Sequence, residues 1–416
     1  MTKPDITSQQ AMQLEDTYGA HNYHPLPVVL SKGDGVKVWD VEGKEYYDFL
    51  SAYSAVNQGH CHPRLVKAMT DQASKLALTS RAFYNDVLGR FEEKITKLFG
   101  FDKALAMNSG AEAVETALKL ARRWGYVKKG IPAEKAKIVV FENNFHGRTI
   151  SIVSFSSDPT SHDGFGPYTP GFVTCPYNDI DALESAMKDA QVCALLMEPI
   201  QGEAGVVVPD EGFLECCRII CDKNEALFIA DEIQTGLCRT GKMLACDHEN
   251  VRPDVLVLGK ALSGGMYPVS CVLADDDVML TIKPGEHGST YGGNPLACSI
   301  AMEALDILQD EKLAENATQL GEFLRNELRK MNSPLISTVR GKGLLNAIVI
   351  KPFEANGEQK KAWDVCVALK DSGLLAKPTH DDIIRFAPPL VISKEQIREC
   401  VSIINSVLES FVAVSA

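Results

Sequence analysis

Two short apolar segments of the sequence each lead into a side chain that can do chemistry. Ala226–Ala230 is followed by Asp231, and Val255–Leu258 is followed by a glycine and then Lys260. In parallel sheets, ligands bind at the carboxyl ends of the strands. A lysine at such an end, with small residues behind it, suits a Schiff-base nucleophile, because the amine must be reachable, partly desolvated and free to swing.

The pairing of Lys260 with Asp231 points to one cofactor. Pyridoxal 5'-phosphate carries an aldehyde that condenses with an amine, and it withdraws electrons only while a carboxylate keeps its ring nitrogen protonated. Either residue alone is more often a surface lysine or a structural strand-end aspartate. Together, each after a strongly apolar strand, they favour a pyridoxal phosphate site.

A third polar group follows the apolar segment Ala104–Met107. Ser109 is predicted to cap a helix that starts at Gly110 and buries an apolar face. The free N–H groups at a helix start bind phosphate, and a glycine lets the phosphate approach the backbone. Most Ser-Gly helix starts bind nothing, so this prediction depends on the Lys260–Asp231 pair.

Phe145 and Arg148 form a fourth group. An aromatic ring can stack on a flat cofactor, and a guanidinium can hold a carboxylate through two parallel hydrogen bonds. A surface ion pair is the alternative for Arg148.

Two further patterns suggest other chemistry but lack necessary residues. Gly236–Lys242 matches the start of a phosphate-binding loop, but Met243 stands where such a loop needs a hydroxyl for magnesium. His60 and His62 lack further ligands at a recognisable spacing, so we predict a structural role and no metal site.

Short apolar strands alternate with amphipathic helices after residue 100, which predicts an α/β fold with a mainly parallel sheet. Residues 36–50 predict a β-hairpin, residues 295–330 helices, residues 344–350 a strand and residues 394–411 a final helix. We predict an N-terminal segment at residues 1–50, a large cofactor-binding domain at 51–297 and a small α+β domain at 298–416.

Composition excludes several classes of protein. The net charge of the 416 residues is −13, and no basic stripe suggests nucleic acid as a partner. No apolar segment reaches the ~20 residues of a membrane span. The polar residues 1–16 predict a cytoplasmic protein, or a mitochondrial matrix protein if a presequence has been removed. Twelve cysteines without a CxxC pair indicate reduced thiols.

The strand ends lie within long motifs of a known family. LFIADEIQTGLCRTGK and PDVLVLGKALSGG resemble the signature of class III, fold-type I aminotransferases. Stretches such as GAHNYHPLPVVL and GLLAKPTHDDIIRFAPPL resemble the ornithine δ-aminotransferase branch of that family, and the resemblance omits only about the first fifteen residues and Phe353–Gln359. It implies a fold-type I pyridoxal-phosphate-dependent transferase, with a seven-stranded sheet covered by helices on both faces.

The resemblance also implies roles for the cofactor site. Lys260 would carry the cofactor and move protons, and Asp231 would hold the ring nitrogen. Such enzymes are homodimers with shared active sites, so Thr290 would reach the phosphate of the neighbouring subunit. The implied cofactor-binding residues are Ser109, Gly110, Ala111, Phe145, Asp231, Gln234, Lys260, Ser289 and Thr290.

The implied substrates are L-ornithine and 2-oxoglutarate, used in turn in a ping-pong cycle that gives glutamate-5-semialdehyde and glutamate. Tyr23 and Arg148 would hold the amino-acid end of ornithine, and Tyr53 would line the same pocket. Arg385 would bind the α-carboxylate of 2-oxoglutarate, and Glu203 would mask Arg385 while ornithine is bound. The family often has another residue where His146 stands, which we expect to tune the pocket without changing the reaction.

Four alternatives remain open at this point. An acetylornithine or 4-aminobutyrate aminotransferase of the same class is the nearest, although Tyr23 and Tyr53 favour ornithine. The others are a 2,1-aminomutase of the same fold, a nucleotide-binding protein that uses Gly236–Lys242, and a non-catalytic interaction protein.

Overall fold

A computed structural model describes residues 6–355 and 357–415, with side chains to residue 413. The first five residues of the predicted N-terminal segment therefore lie outside the description. Within these ranges, no helix is both long and apolar enough to cross a membrane. All twelve cysteines are free thiols.

The N-terminal part contains three short strands that form an antiparallel meander. The predicted hairpin is confirmed, because Trp39 pairs with Glu45 across the turn. The single turn Ser51–Ser54 after the third strand, labelled α2, is left-handed, because its four residues all have positive φ. The elements are α1 (Ser8–Tyr18), β1 (Leu30–Asp34), β2 (Lys37–Asp40), β3 (Glu45–Asp48), α2 (Ser51–Ser54), α3 (Pro63–Lys75) and α4 (Leu88–Phe99).

A seven-stranded sheet forms the centre of the protein, in the order β4-β10-β9-β8-β7-β5-β6. Its strands are β4 (Lys103–Met107), β5 (Lys137–Phe141), β6 (Phe172–Cys175), β7 (Val192–Met197), β8 (Leu227–Asp231), β9 (Val255–Leu258) and β10 (Ser270–Ala274). The prediction of a mainly parallel sheet is confirmed, with β10 antiparallel to both neighbours. The strand β6 was not predicted from the sequence; it lies at the edge, pairs with β5 alone among the described strands and buries little of its length.

Helices pack on this sheet through apolar faces. The longest of them presents the predicted face, because Val114, Ala117, Leu118 and Ala121 are all buried. The helices between the sheet strands are α5 (Gly110–Val127), α6 (Ile150–Val153), α7 (Pro159–His162), α8 (Ile180–Met187) and α9 (Phe213–Lys223), and α10 (Asp276–Met279) follows the last strand, β10.

The C-terminal part combines helices with a second, antiparallel sheet in the order β11-β12-β17-β16. The predicted helices, strand and final helix of this part are confirmed. Its elements are α11 (Pro295–Asp310), α12 (Leu313–Lys330), β11 (Ile336–Lys342), β12 (Leu345–Ile350), β13 (Phe353–Ala355), β14 (Glu358–Lys360), α13 (Ala362–Asp371), β15 (Leu374–Leu375), β16 (Lys377–Thr379), β17 (Ile383–Phe386) and α14 (Lys394–Ser415). β15 pairs with β3 of the N-terminal meander. The domain bounds stay a prediction.

Residues Gly236–Gly241 are buried and Lys242 is exposed, so the segment does not form a loop open to a nucleotide. Arg239 is fully buried, and its guanidinium donates to the carbonyls of Leu344 and Pro388 at 3.0 and 2.7 Å and to Asn57 Oδ1. Burial lowers the pKa of Arg239 to about 9. Arg239 therefore ties the central sheet to the N-terminal and C-terminal parts.

Candidate active site

A cavity of about 200 Å³ lies at the carboxyl ends of the central strands, beside the start of α5. This is where ligands of parallel sheets bind. Seven predicted site residues line it: Gly110, Ala111, Phe145, Glu203, Asp231, Gln234 and Lys260. The fold thus brings together residues as far apart in the chain as Gly110 and Lys260.

Lys260 follows the end of β9 and has a φ of +43°, in the left-handed region that non-glycine residues rarely adopt. The lysine is half-buried. Burial lowers the pKa of its amine, although the charges of Glu203 and Asp231 act in the opposite direction. A larger fraction of the amine is therefore neutral, as a nucleophile or general base requires.

Asp231 is buried at the end of β8 and has two partners. Its Oδ1 accepts from the N–H of Ile233 at 3.1 Å, and its Oδ2 lies 2.6 Å from Nδ1 of His146, which is also buried. Burial alone would lower the pKa of His146, but the hydrogen bond and charge of Asp231 outweigh it and raise that pKa. In the sequence, His146 stood out only as a departure from the family, and its contact with Asp231 was not predicted.

A second buried carboxylate, Glu198, lies beside this pair. It follows β7 as Asp231 ends β8, so the strand-end argument used for Asp231 would also have found it. Its two oxygens accept from the N–H groups of Phe145 and Gly202 at 2.9 and 3.3 Å. Burial raises the pKa of Glu198 to about 7. Glu198 thus fixes the backbone that carries Phe145.

The start of α5 has the predicted geometry. Ser109 is the N-cap and Glu112 completes a capping box, so the N–H groups of Ser109 and Glu112 are bonded. Within the described residues, the N–H groups of Gly110 and Ala111 have no such partner. Both residues line the cavity, and free N–H groups at a helix start suit a bound phosphate.

Ser289 and Thr290 are two further predicted cofactor-binding residues, of which Thr290 was predicted to reach the phosphate of the neighbouring subunit. Ser289 is half-buried, and its Oγ accepts from Asn108 Nδ2 at 2.9 Å and from the N–H of Gly292 at 3.0 Å. Thr290 is exposed and does not line the cavity of its own chain.

Arg385 and Glu203 form a close ion pair, with Nη1 and Oε1 2.5 Å apart. Arg385 is buried, and Gln234 Nε2 donates to the same Glu203 oxygen at 3.3 Å. Burial pushes the pKa of Glu203 up, but the charge and hydrogen bond of Arg385 outweigh it and lower the pKa. The guanidinium also lies 5.3 Å from the centre of the Tyr53 ring.

The last two predicted substrate residues are at the surface of the single chain. Tyr23 is 71% exposed, and its ring lies 5.8 Å from Nζ of Lys377. Arg148 is exposed, and its guanidinium lies 5.5 Å from the ring of Phe145. The structure therefore places Arg148 beside Phe145 but not in the cavity lining.

The residues of the cavity fit pyridoxal phosphate. A lysine of lowered pKa, a buried carboxylate and a helix start lie around one space. The buried Oε1 of Gln234 has no partner among the described residues and is available to a ligand group. A Cβ on Gly202 would stand 1.5 Å from that same oxygen, so only glycine leaves room for Gln234 to lie there.

Comparison with known proteins identifies the family. Residues 18–408 match the family model of class-III aminotransferases. A relative from Drosophila melanogaster, named mitochondrial ornithine aminotransferase, is 65% identical over 396 residues, which cover 95% of this chain and 90% of the relative.

Two solved structures agree with this match. A structure of the ornithine aminotransferase from Toxoplasma gondii, described as having partial occupancy of pyridoxal phosphate at the active site, has a TM-score of 0.94 and 48% identity and covers 98% of this chain and 95% of its own. A structure named acetylornithine aminotransferase from Elizabethkingia anophelis has a TM-score of 0.89 and 58% identity, with 98% and 100% of the two chains covered. The cavity, its residues and these likenesses together show that the chain belongs to the class-III aminotransferase family.

Proposed function

We propose that the protein is an ornithine aminotransferase that uses pyridoxal phosphate to move the δ-amino group of L-ornithine to 2-oxoglutarate. The observation that carries this proposal is the buried Arg385–Glu203 pair at the cavity. A site that takes a cationic diamine in one half-reaction and a dianionic oxo acid in the other needs a positive charge that can be masked and released. The relatives named ornithine aminotransferase support the same substrate.

Bound pyridoxal phosphate supplies an aldehyde that condenses with amines and a ring that accepts electrons from the bonds of the reacting carbon. In this chain, Lys260 would hold the cofactor covalently and Asp231 would hold its ring nitrogen. Phe145 would lie against the ring, Gln234 would bind its phenolic oxygen, and the start of α5 would bind its phosphate.

Lys260 does two things during the reaction. Its Nζ would hold the cofactor until the substrate amine takes its place, and the free amine would then take the proton that the δ-carbon of ornithine loses. The lowered pKa of Lys260 favours both, because the amine must be neutral to accept that proton. His146 and Glu198 keep Asp231 and Phe145 in place during these steps.

Arg385 and Glu203 discriminate between the two substrates. The lowered pKa of Glu203 keeps it ionised, so it neutralises Arg385 while the cationic ornithine is bound. The α-carboxylate of 2-oxoglutarate then displaces Glu203 and pairs with Arg385, since a bidentate carboxylate satisfies the guanidinium fork. Tyr53, whose ring faces Arg385, closes the same side of the pocket.

An acetylornithine aminotransferase is the second candidate, because the Elizabethkingia anophelis structure of that name is 58% identical. Adding each amino donor alone to the holoenzyme and following the cofactor band near ~420 nm separates the two functions. Loss of the band with L-ornithine, reversed by 2-oxoglutarate, supports the proposal. Loss with N-acetylornithine or 4-aminobutyrate but not with L-ornithine would contradict it.

We propose that the protein is a homodimer in which Ser289 and Thr290 complete the phosphate site of the other subunit. Supporting this, Thr290 is exposed in the single chain, and the apolar rings of Phe83 and Tyr84 are also exposed. Sedimentation of the purified protein would also reveal any higher oligomer.

A complementation experiment tests the shared site. Lys260→Ala and Thr290→Ala variants, each inactive as pure dimers, are unfolded together and refolded as a mixture. Random pairing gives heterodimers with one intact site, so about a quarter of wild-type activity returns if sites are shared. No return of activity, with dimers present in sedimentation, contradicts sharing.

The compartment is decided by fractionation of the source cells. The sequence analysis predicts the cytoplasm, and the mitochondrial name of the fly relative makes the matrix the alternative.

A further inference from the structure

Lys377 has no role in the function proposed above. It lies near Arg385 and Tyr53, on the side of the cavity where the substrates are proposed to bind. It begins β16 and is the direct cross-strand partner of Arg385 on β17. The Cβ atoms of directly opposite residues stand about 4.5–5.5 Å apart on one face of a sheet. Lys377 and Arg385 therefore present two positive charges side by side.

The surroundings of Lys377 lie on the substrate side. Its Nζ is 3.5 Å from the hydroxyl of Tyr53 and 5.8 Å from the ring centre of Tyr23. The Tyr53 ring in turn faces Arg385. The contacts thus run outward from the cavity in the order Glu203, Arg385, Tyr53 and Lys377, and end at Tyr23.

Arg385 has a carboxylate partner, whereas Lys377 has none among the described residues. Arg385 has Glu203 at 2.5 Å, whereas no described carboxylate lies within salt-bridge distance of Nζ of Lys377. The ammonium is half-buried, and the long bond to Tyr53 uses one of its three donors. A partly desolvated ammonium with spare donors is suited to bind an anion.

Both proposed substrates carry a carboxylate at the end opposite their reacting group. Ornithine carries a carboxylate at the end opposite its δ-amine, and 2-oxoglutarate carries a second carboxylate at the end opposite its reacting carbon. When the reacting carbon of either substrate faces Lys260, that carboxylate lies at the end of the molecule away from Lys260, and Lys377 follows Arg385 in the series of contacts that leads away from the cavity.

We propose that Lys377 is a specificity-determining residue whose Nζ binds this outer carboxylate in both half-reactions. The proposal rests on the proposed function. It adds a second cation to the one that resemblance assigns to Arg148. It also implies that diamines without a carboxylate are poor substrates.

The test compares wild type with Lys377→Met, which keeps the length and loses the charge, and Lys377→Arg, which keeps the charge. L-Ornithine and putrescine differ by the carboxylate alone, so the ratio of their kcat/KM values reports on its binding. We expect Lys377→Met to lower kcat/KM for L-ornithine about 10-fold or more, through KM, and to leave putrescine unchanged or improved. Lys377→Arg should restore most of the ratio.

A second measurement does not depend on turnover. Glutarate, a five-carbon dicarboxylate, is titrated into each holoenzyme by calorimetry, and its Kd should rise about 10-fold in Lys377→Met. An unchanged ornithine-to-putrescine ratio and an unchanged glutarate Kd in a folded Lys377→Met variant overturn the proposal. If wild type ignores L-ornithine, the proposed function fails, and the glutarate titration alone decides the role of Lys377.

Discussion

The hydrogen bond between His146 and Asp231 makes a quantitative prediction about cofactor binding. Both side chains are buried, and Nδ1 lies 2.6 Å from Oδ2. His146→Phe keeps an aromatic ring in the site but removes the donor. Asp231 is then left with the N–H of Ile233 as its remaining protein partner.

The size of the effect follows from the type of bond. A hydrogen bond to a charged group contributes about 1.5–3 kcal/mol, and each 1.4 kcal/mol is a factor of about ten in an equilibrium constant. The negative charge of Asp231 is what binds the protonated ring nitrogen, and it is less stable without His146. We therefore expect the Kd for pyridoxal phosphate to rise about 10- to 100-fold in His146→Phe.

The same bond predicts a pH dependence of folding. The pKa of His146 is raised above its unfolded value of about 6.5. The stability that this pair contributes is therefore fully present below pH 6.5 and is lost as the pH rises through the folded pKa. His146→Phe should remove this decline from the pH profile of the unfolding free energy.

The assay is a titration of apoenzyme with pyridoxal phosphate, followed by cofactor absorbance. His162→Phe is the matched control, because His162 also lies against an aspartate, Asp163 at 3.0 Å, but at the surface. The control should bind the cofactor like wild type. A Kd for His146→Phe within about threefold of wild type would refute the reasoning.

Three further predictions concern other buried groups. Gly202→Ala should expel the side chain of Gln234, which a Cβ would approach to 1.5 Å, and should lower activity at least about 10-fold. The unfolding free energy should change by less than about 2 kcal/mol, because only the flexible end of Gln234 must move. Unchanged activity, or a larger loss of unfolding free energy, would contradict this. Arg239→Met should lower the unfolding free energy by about 3 kcal/mol or more, because three buried oxygens, including Asn57 Oδ1, lose their donor. Denaturant titrations measure this change, and a value below about 1 kcal/mol would refute the prediction. Burial lowers the pKa of His248 to about 4, so stability should fall as the pH drops from 6.5 to 4, because the unfolded state is protonated first. Solvent screens this half-buried ring, so we expect a fall of about 1–2 kcal/mol. His248→Gln should abolish this fall.

The sequence predicted best where local forces decide. The strands that end at Asp231 and lead to Lys260 are uninterrupted apolar segments, which fit only the interior of a covered sheet. The helix start at Ser109 follows from a capping box whose partners are three residues apart. The edge strand β6 was missed because a strand with one neighbour and one open side needs no such pattern.

The site was predicted in part. Motif resemblance supplied the residues around Lys260, but their roles remain predictions. It gave Arg148 and Tyr23 as substrate residues, and both lie at the surface of the single chain. Glu198 could have been predicted as a site residue, because it directly follows the apolar strand β7.

What the sequence by itself determined about this protein is therefore its class of fold, the strand ends that carry Asp231 and Lys260, and the family motifs. The tertiary structure alone decided which distant polar groups meet. His146 reaches Asp231 across 85 residues and Arg385 reaches Glu203 across 182. Such pairs depend on how whole elements pack and on which face each side chain takes, whereas the periodicity of a sequence reports only on the neighbours of a residue along its own helix or strand.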